Sequence, residues 1–176
     1  MLRQLIKKQT KDIHKHVENL PVIKKILSCE ISNENYSQYL TQLLYIYKEL
    51  EEHKFFKKLN IDKLYNKCKM DIDQLNVPDL QILDITKIYC NYLKDIDNFD
   101  LFVSHCYVRY MADLMGGQII KNKIQNKFPV NVYDIDKKNI PIIVNFVKNV
   151  NDDKLFCTGV HHSFSLYSSI LLTLKS

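Results

Sequence analysis

The stretch FDLFVSHCYVRYMADLMGGQIIKNKIQN, residues 99–126, decides the fold. Its apolar residues recur at steps of three and four, which is the spacing of one face of an α-helix. The spacing continues across Gly116 and Gly117, so it predicts one long helix with two glycines inside it. Each glycine in a helix interior costs about 1 kcal/mol relative to alanine. The pair therefore indicates a kink, or a close approach of the backbone to a bulky group.

Helical spacing is found in the rest of the chain wherever a period can be read. The first helix is interrupted at Asn19 and Pro21, and Ser32 is a suitable N-cap for the helix that follows. The predicted helices fall at residues 2–20, 23–27, 36–50, 88–96, 99–126, 140–150 and 160–174. We therefore predict an all-α protein of about seven helices. Its 176 residues are expected to form a single domain, residues 1–176.

Composition excludes several classes of protein. Three glycines are too few for the glycine-rich loops that bind nucleotide phosphates. The net charge of +5 comes from lysines spread along the chain, which favours acidic partners or ligands and argues against nucleic acid. No apolar run reaches the roughly 18–20 residues of a membrane span. With five cysteines, no C-x-x-C motif and no signal peptide, we expect a soluble, cytoplasmic or otherwise intracellular protein without a membrane anchor.

One face of the first helix carries Lys7, Lys11, His14 and Glu18, at steps of four, three and four residues. This face borders the apolar stripe, so a ligand bound there would be half buried. Two ammonium groups and an imidazole suit a flat apolar molecule with acidic tails and a central metal, and haem fits that description. Glu18 is placed to hydrogen-bond the ring nitrogen of His14 that does not bind iron. A boundary histidine beside solvated lysines stays open as the alternative.

The long helix places an acid next to the glycine pair. Asp113 lies about one turn before Gly116 and Gly117. Glycines at this point let the backbone lie against the face of a ring, and a carboxylate beside them is suited to organise water. An ordinary kinked core helix, in which Asp113 is bonded to a neighbour, is the alternative interpretation.

Two stretches of the sequence resemble the haem oxygenase family. Residues 7–19, KKQTKDIHKHVEN, are similar to the family's proximal helix with its pattern T-K-x-x-H-x-x-x-E-N. Residues 104–118, SHCYVRYMADLMGGQ, are similar to the distal signature H-x-Y-x-R-Y-x-G-D-L-x-G-G-Q. Residues 36–52 also resemble the helix between these two. The part of the chain after Pro129 resembles the family poorly.

The resemblance implies a role for each matching residue. It makes His14 the axial ligand of the haem iron and Glu18 its hydrogen-bonding partner, with Lys7 and Lys11 paired to the haem propionates. It makes Asp113 the catalytic carboxylate that orders water on the distal side. The further residues expected to contact haem are Tyr107, Arg109, Ala112, Gly116 and Gly117. His105 also matches the signature, and we expect it to hydrogen-bond a neighbouring residue.

The resemblance also implies a fold and an activity. The expected fold is haem oxygenase-like, with haem between the first helix and the kinked helix at residues 99–126. The family uses haem as both cofactor and substrate, and cleaves it at a meso carbon to biliverdin, carbon monoxide and ferrous iron. The reaction needs dioxygen and electrons from a separate donor, such as a ferredoxin or a flavin reductase.

Two residues depart from the distal signature. Ala112 replaces a glycine, and Met115 replaces a smaller residue. Ala112 keeps open a second function, that of a non-catalytic protein that binds or sequesters haem. A thiaminase-like enzyme of related fold would bind no haem. A di-iron site is not expected, because the chain has no Glu-x-x-His motif. For further propionate contacts, the candidates are Lys137, Lys138 and Lys148.

Overall fold

The computed structural model of the protein describes the backbone of residues 2–175 and the side chains of Ile6 and residues 10–175. This part of the chain contains eight α-helices, two short 3₁₀ turns at Phe56–Lys58 and Asn131–Tyr133, and no strand. The helices are α1 Leu2–Glu18, α2 Pro21–Leu27, α3 Asn33–Glu52, α4 Tyr65–Leu75, α5 Asp84–Lys94, α6 Phe99–Ile124, α7 Asn139–Lys148 and α8 Asp153–Thr173. The prediction of an all-α fold is confirmed.

Local signals in the sequence place most of these helices. The break between α1 and α2 falls at the predicted position before Pro21. Ser32 caps α3, because its hydroxyl accepts a hydrogen bond from the backbone N–H of Asn35 at 3.1 Å. Helix α6 runs without interruption through Gly116 and Gly117, as the apolar spacing predicts.

Helix α4 is absent from the predicted helices. Its core-facing residues recur at helical steps, but they are few and only partly buried apart from Cys68: Tyr65, Cys68, Ile72 and Leu75. Long-range hydrogen bonds add to this packing. At its N-terminus, the Glu51 carboxylate accepts hydrogen bonds from the backbone N–H groups of Leu64 and Tyr65. Helix α8 also begins earlier than expected, where the Asp152 side chain accepts a hydrogen bond from the N–H of Leu155.

One cluster of buried apolar side chains draws on all eight helices. Helices α6 and α8 approach each other closely at Gly159, where a β-carbon would overlap the hydroxyl of Ser104. The five cysteines are free thiols. Within residues 2–175, no helix is both long and apolar enough to cross a membrane.

His105 is completely buried between α5, α6 and α8. Its Nδ1 shares a hydrogen bond with the hydroxyl of Tyr89 at 2.9 Å, and that hydroxyl also bonds the Ser163 hydroxyl at 2.8 Å. The expectation that His105 hydrogen-bonds a neighbour is thus confirmed. Burial, with a smaller contribution from the nearby His162, lowers the pKa of His105 to about 3.

This environment predicts a loss of stability in acid. In the unfolded chain histidine has a pKa of about 6.5. Between this pH and about pH 3, the unfolded state therefore binds a proton that His105 does not bind in the folded state. The contribution of His105 to the free energy of unfolding is therefore fully present above about pH 6.5. It is lost as the pH falls towards 3, and the loss amounts to roughly 5 kcal/mol for this group alone. Urea denaturation between about pH 7 and pH 4 measures the slope.

His105→Gln removes the titrating group and should flatten this slope, although it lowers stability at neutral pH. His161→Gln is the control, because His161 is exposed on α8, and it should keep the wild-type slope. An unchanged slope in His105→Gln would show that another group controls stability in acid.

Candidate functional site

A cavity of about 670 Å³ lies between α1, α2, α3, α6 and α8. Its volume falls within the range of about 300–1,000 Å³ that is usual for sites of small molecules and cofactors. Most of its lining is apolar, and Val17, Ile23 and Phe164 are among the side chains that contribute. The few polar side chains in its walls include His14, Arg109 and Asp113. The cavity therefore suits a mainly apolar ligand that is oriented by a small number of polar groups.

The α1 wall carries two of the predicted residues. His14 and Glu18 both line the cavity, and the imidazole of His14 packs edge-on against the ring of Phe164, with ring centroids 4.7 Å apart. Lys11 is exposed on α1 and lies outside the cavity lining. The prediction for Lys7 concerns a side chain that lies outside the described residues. The helical spacing thus brings His14 and Glu18 to one wall.

The α6 wall carries the remaining predicted residues. The cavity is lined there by Tyr107, Arg109, Ala112, Asp113, Gly116 and Gly117. Helices α1 and α6 therefore both bring predicted residues to the same cavity. The three lysines considered for propionate contacts lie outside the lining, and Lys138 is 3.3 Å from Asp136 and 3.7 Å from Asp62.

The two glycines of α6 have different surroundings. A β-carbon at Gly116 would meet no atom within 4 Å outside its own helix segment. At Gly117 a β-carbon would lie 2.6 Å from Cδ1 of Tyr133, which is closer than real β-carbon contacts allow. Contact with a ligand therefore does not by itself explain why both positions are glycine. Gly116 leaves space beside the cavity, whereas Gly117 is required by the packing of Tyr133.

Asp113 and Arg109 form a buried pair in the α6 wall. Oδ2 of Asp113 lies 3.5 Å from Nη2 of Arg109, and both side chains are almost fully buried. Burial raises the pKa of Asp113 well above its usual range, because the charged carboxylate is poorly solvated there. Nε and Nη1 of Arg109 have no hydrogen-bond partner among the described residues. Unpaired buried donors are costly, and beside a cavity they indicate a functional site.

Two tyrosines extend this polar group, and neither follows from motif or spacing. The guanidinium carbon of Arg109 stands 3.9 Å from the ring centroid of Tyr167, within cation–π distance. The hydroxyl of Tyr167 lies 3.1 Å from that of Tyr39. Both tyrosines line the cavity, although their helical spacing alone identifies them as core residues. Only the packing of α3 and α8 against α6 reveals their position.

Comparisons with known proteins agree with this geometry. The family model described as Heme oxygenase matches residues 1–134. The heme oxygenase of Rhodella violacea is 26% identical over 94% of this chain and 77% of its own length. Heme oxygenase 2 of Synechocystis sp. is 32% identical over 71% of this chain and 56% of its own.

Solved structures show the same fold. The structure of heme oxygenase from Leptospira interrogans has a TM-score of 0.83 and 22% identity, and the match covers 98% of this chain and 99% of that one. Heme oxygenase-2 from Synechocystis sp. PCC 6803, solved with heme and NO, has a TM-score of 0.82 and 23% identity, with coverage of 97% and 83%.

The different surroundings of the glycines predict opposite effects of alanine on stability. Gly116→Ala should leave the free energy of unfolding unchanged or raise it by up to about 1 kcal/mol, because alanine is the better helix former. Gly117→Ala should lower it by about 1–3 kcal/mol, because the ring of Tyr133 or the helix must shift. Urea denaturation of the ligand-free protein measures both, and equal effects at the two positions would contradict this assignment.

Proposed function

The chain belongs to the haem oxygenase family, and from this premise we propose that it cleaves haem oxidatively at a meso carbon. The products would be biliverdin, carbon monoxide and ferrous iron. Dioxygen would be the co-substrate, with electrons from a separate donor such as a ferredoxin or a flavin reductase. The observation that carries the proposal is a cavity with His14 on one wall and Asp113 beside Gly116 on another.

The residues of the cavity fit haem. An imidazole is a common axial ligand of haem iron, and His14 is the histidine in the lining. The open space at Gly116 lets the α6 backbone lie close to the face of a flat ring. Val17 and Phe164 offer apolar contacts, and the unpaired donors of Arg109 account for a polar region in the same cavity.

On the α1 wall, His14 would hold the iron. Phe164 packs against its ring edge-on, and Glu18, one turn further along α1, would hydrogen-bond the ring nitrogen that is not bound to iron. Such a bond fixes the tautomer and makes the ligand more basic. Lys7 and Lys11 remain the proposed partners of the propionates. Tyr107 and Ala112 would contact the ring from the α6 wall.

On the α6 wall, the chain supplies protons and hydrogen bonds. Bound haem provides the iron that activates dioxygen and the carbon that becomes oxidised. Burial favours the protonated form of Asp113, and a carboxyl that keeps its proton is suited to donate it into the cavity. Arg109 holds this carboxyl from 3.5 Å and is itself fixed by the ring of Tyr167.

We also infer the compartment and the domain organisation of the protein. The free thiols support an intracellular, reducing compartment, and the shared core supports one domain for residues 1–176. Ala112 favours the second candidate function, a haem-binding protein without turnover, because its methyl group lies in the cavity lining. Incubating the haem complex with ascorbate or a ferredoxin system separates the two functions. Loss of the Soret band with formation of biliverdin supports cleavage, whereas a stable complex supports binding alone.

His14→Ala should remove the axial ligand of the iron. We expect the ferric spectrum of the hemin-reconstituted protein to change, and added imidazole to restore it in part. His16→Ala is the matched control, because His16 is exposed on the same helix about 200° away and should not change the spectrum. A wild-type spectrum in His14→Ala would refute the assignment of the axial ligand.

Asp113→Asn should leave haem bound but slow ring opening by about 10²–10⁴-fold, the usual contribution of a positioned acid or base. The rate of biliverdin formation with excess reductant measures this effect, and a hemin titration checks that binding is retained. Asp153→Asn, at the exposed start of α8, provides the control. Biliverdin formation at the wild-type rate in Asp113→Asn would show that this carboxyl takes no part in proton supply.

A further inference from the structure

Tyr133 supports the glycine pair of α6 from outside the cavity. The residue is completely buried, and it does not line the cavity among the described residues. Its ring occupies the place into which a side chain at Gly117 would project. Since Gly117 itself lines the cavity, α6 lies between the ring of Tyr133 and the ligand space at this point.

The turn that carries Tyr133 is fixed on two sides. On the α4 side, the fully buried carboxylate of Asp71 accepts hydrogen bonds from the N–H of Asn131 at 2.9 Å, from its Nδ2 at 2.6 Å and from the N–H of Val132 at 2.8 Å. On the α6 side, Nε2 of Gln118 donates to the carbonyl oxygen of Tyr133 at 2.7 Å. The ring of Tyr133 therefore has little freedom to withdraw from Gly117.

We propose that Tyr133, held by Asp71, is a positioning residue that sets how far residues 115–117 of α6 project towards the bound haem. The inference rests on the proposed function. Two adjacent glycines are the weakest point of a helix, because they lack side chains and have a high conformational entropy when unfolded. A rigid external contact at this point determines where the backbone lies.

Ligand binding to the ferric haem complex tests the proposal, because it reports the space between α6 and the ring. Imidazole is large enough to be sensitive to this space, and cyanide is a small reference ligand. Tyr133→Ala lets α6 withdraw and should tighten imidazole binding about fivefold relative to cyanide. Gly117→Ala pushes α6 towards the haem and should weaken imidazole binding relative to cyanide by about the same factor. A change of this size is typical of the coupling between residues in contact.

The double variant gives the decisive result. If the ring and Gly117 act through direct contact, the new methyl group fits the space left by Tyr133→Ala, and imidazole affinity returns to near the wild-type value. Effects that simply add in the double variant, or imidazole affinities unchanged in both single variants, would overturn the proposal. Tyr133→Leu replaces Tyr133→Ala if the latter does not fold.

Two more variants test the anchoring of the turn. Asp71→Asn removes a carboxylate oxygen that accepts backbone N–H groups, and it should shift imidazole affinity in the same direction as Tyr133→Ala. Asp134→Asn is the matched control on the same turn, because it breaks only the exposed bond of 2.8 Å to Lys121 and should leave the affinities unchanged. Equal shifts in Asp71→Asn and Asp134→Asn would count against anchoring through Asp71.

Thermal unfolding of each haem-free variant separates lost stability from changed ligand space. The proposed function and this inference fail differently. A wild-type protein that binds no hemin refutes the haem site itself. If hemin binds but the effects of Tyr133→Ala and Gly117→Ala on imidazole affinity simply add in the double variant, only the role of Tyr133 is refuted.

Discussion

Helix α6 must pack in the core on one side and leave room for a flat ligand on the other, and the glycine pair makes both possible. The contact between Gly117 and the ring of Tyr133 brings core packing directly against the helix backbone. Gly116 keeps the next position free of a side chain beside the cavity. Larger residues at both positions would force the helix away from Tyr133 or fill the ligand space. The shape of the site therefore depends on where the backbone of α6 lies.

The buried polar pair beside this backbone shows that the site is not optimised for stability. An arginine and a carboxyl are both almost fully buried at Arg109 and Asp113, separated by 3.5 Å, and two nitrogens of the arginine lack partners within the described part of the chain. Desolvation of such groups offsets much of their mutual attraction. The ring of Tyr167 compensates in part through its cation–π contact. Local departures of this kind are expected where a protein binds or transforms a ligand.

The sequence predicts what is local and misses what depends on packing. His14 and Glu18 share a wall because four residues make about one helical turn, and spacing alone shows this. Helix α4 is held by hydrogen bonds from distant residues such as Glu51, and no periodicity records such bonds. Tyr133 lies 15 residues beyond the end of the motif at residues 104–118, so the motif that includes Gly117 does not name the residue that requires it.

A third element, α8, packs against both walls of the cavity. Helix α8 meets α6 at Gly159, in close contact with Ser104, and meets α1 at Phe164, against the ring of His14. These two contacts lie five residues apart on α8, about 7.5 Å along its axis. Neither the motif on α1 nor the motif on α6 contains this distance. The position of α1 relative to α6 therefore depends on helices outside both motifs, α8 among them, and this becomes visible only when the helices are packed together.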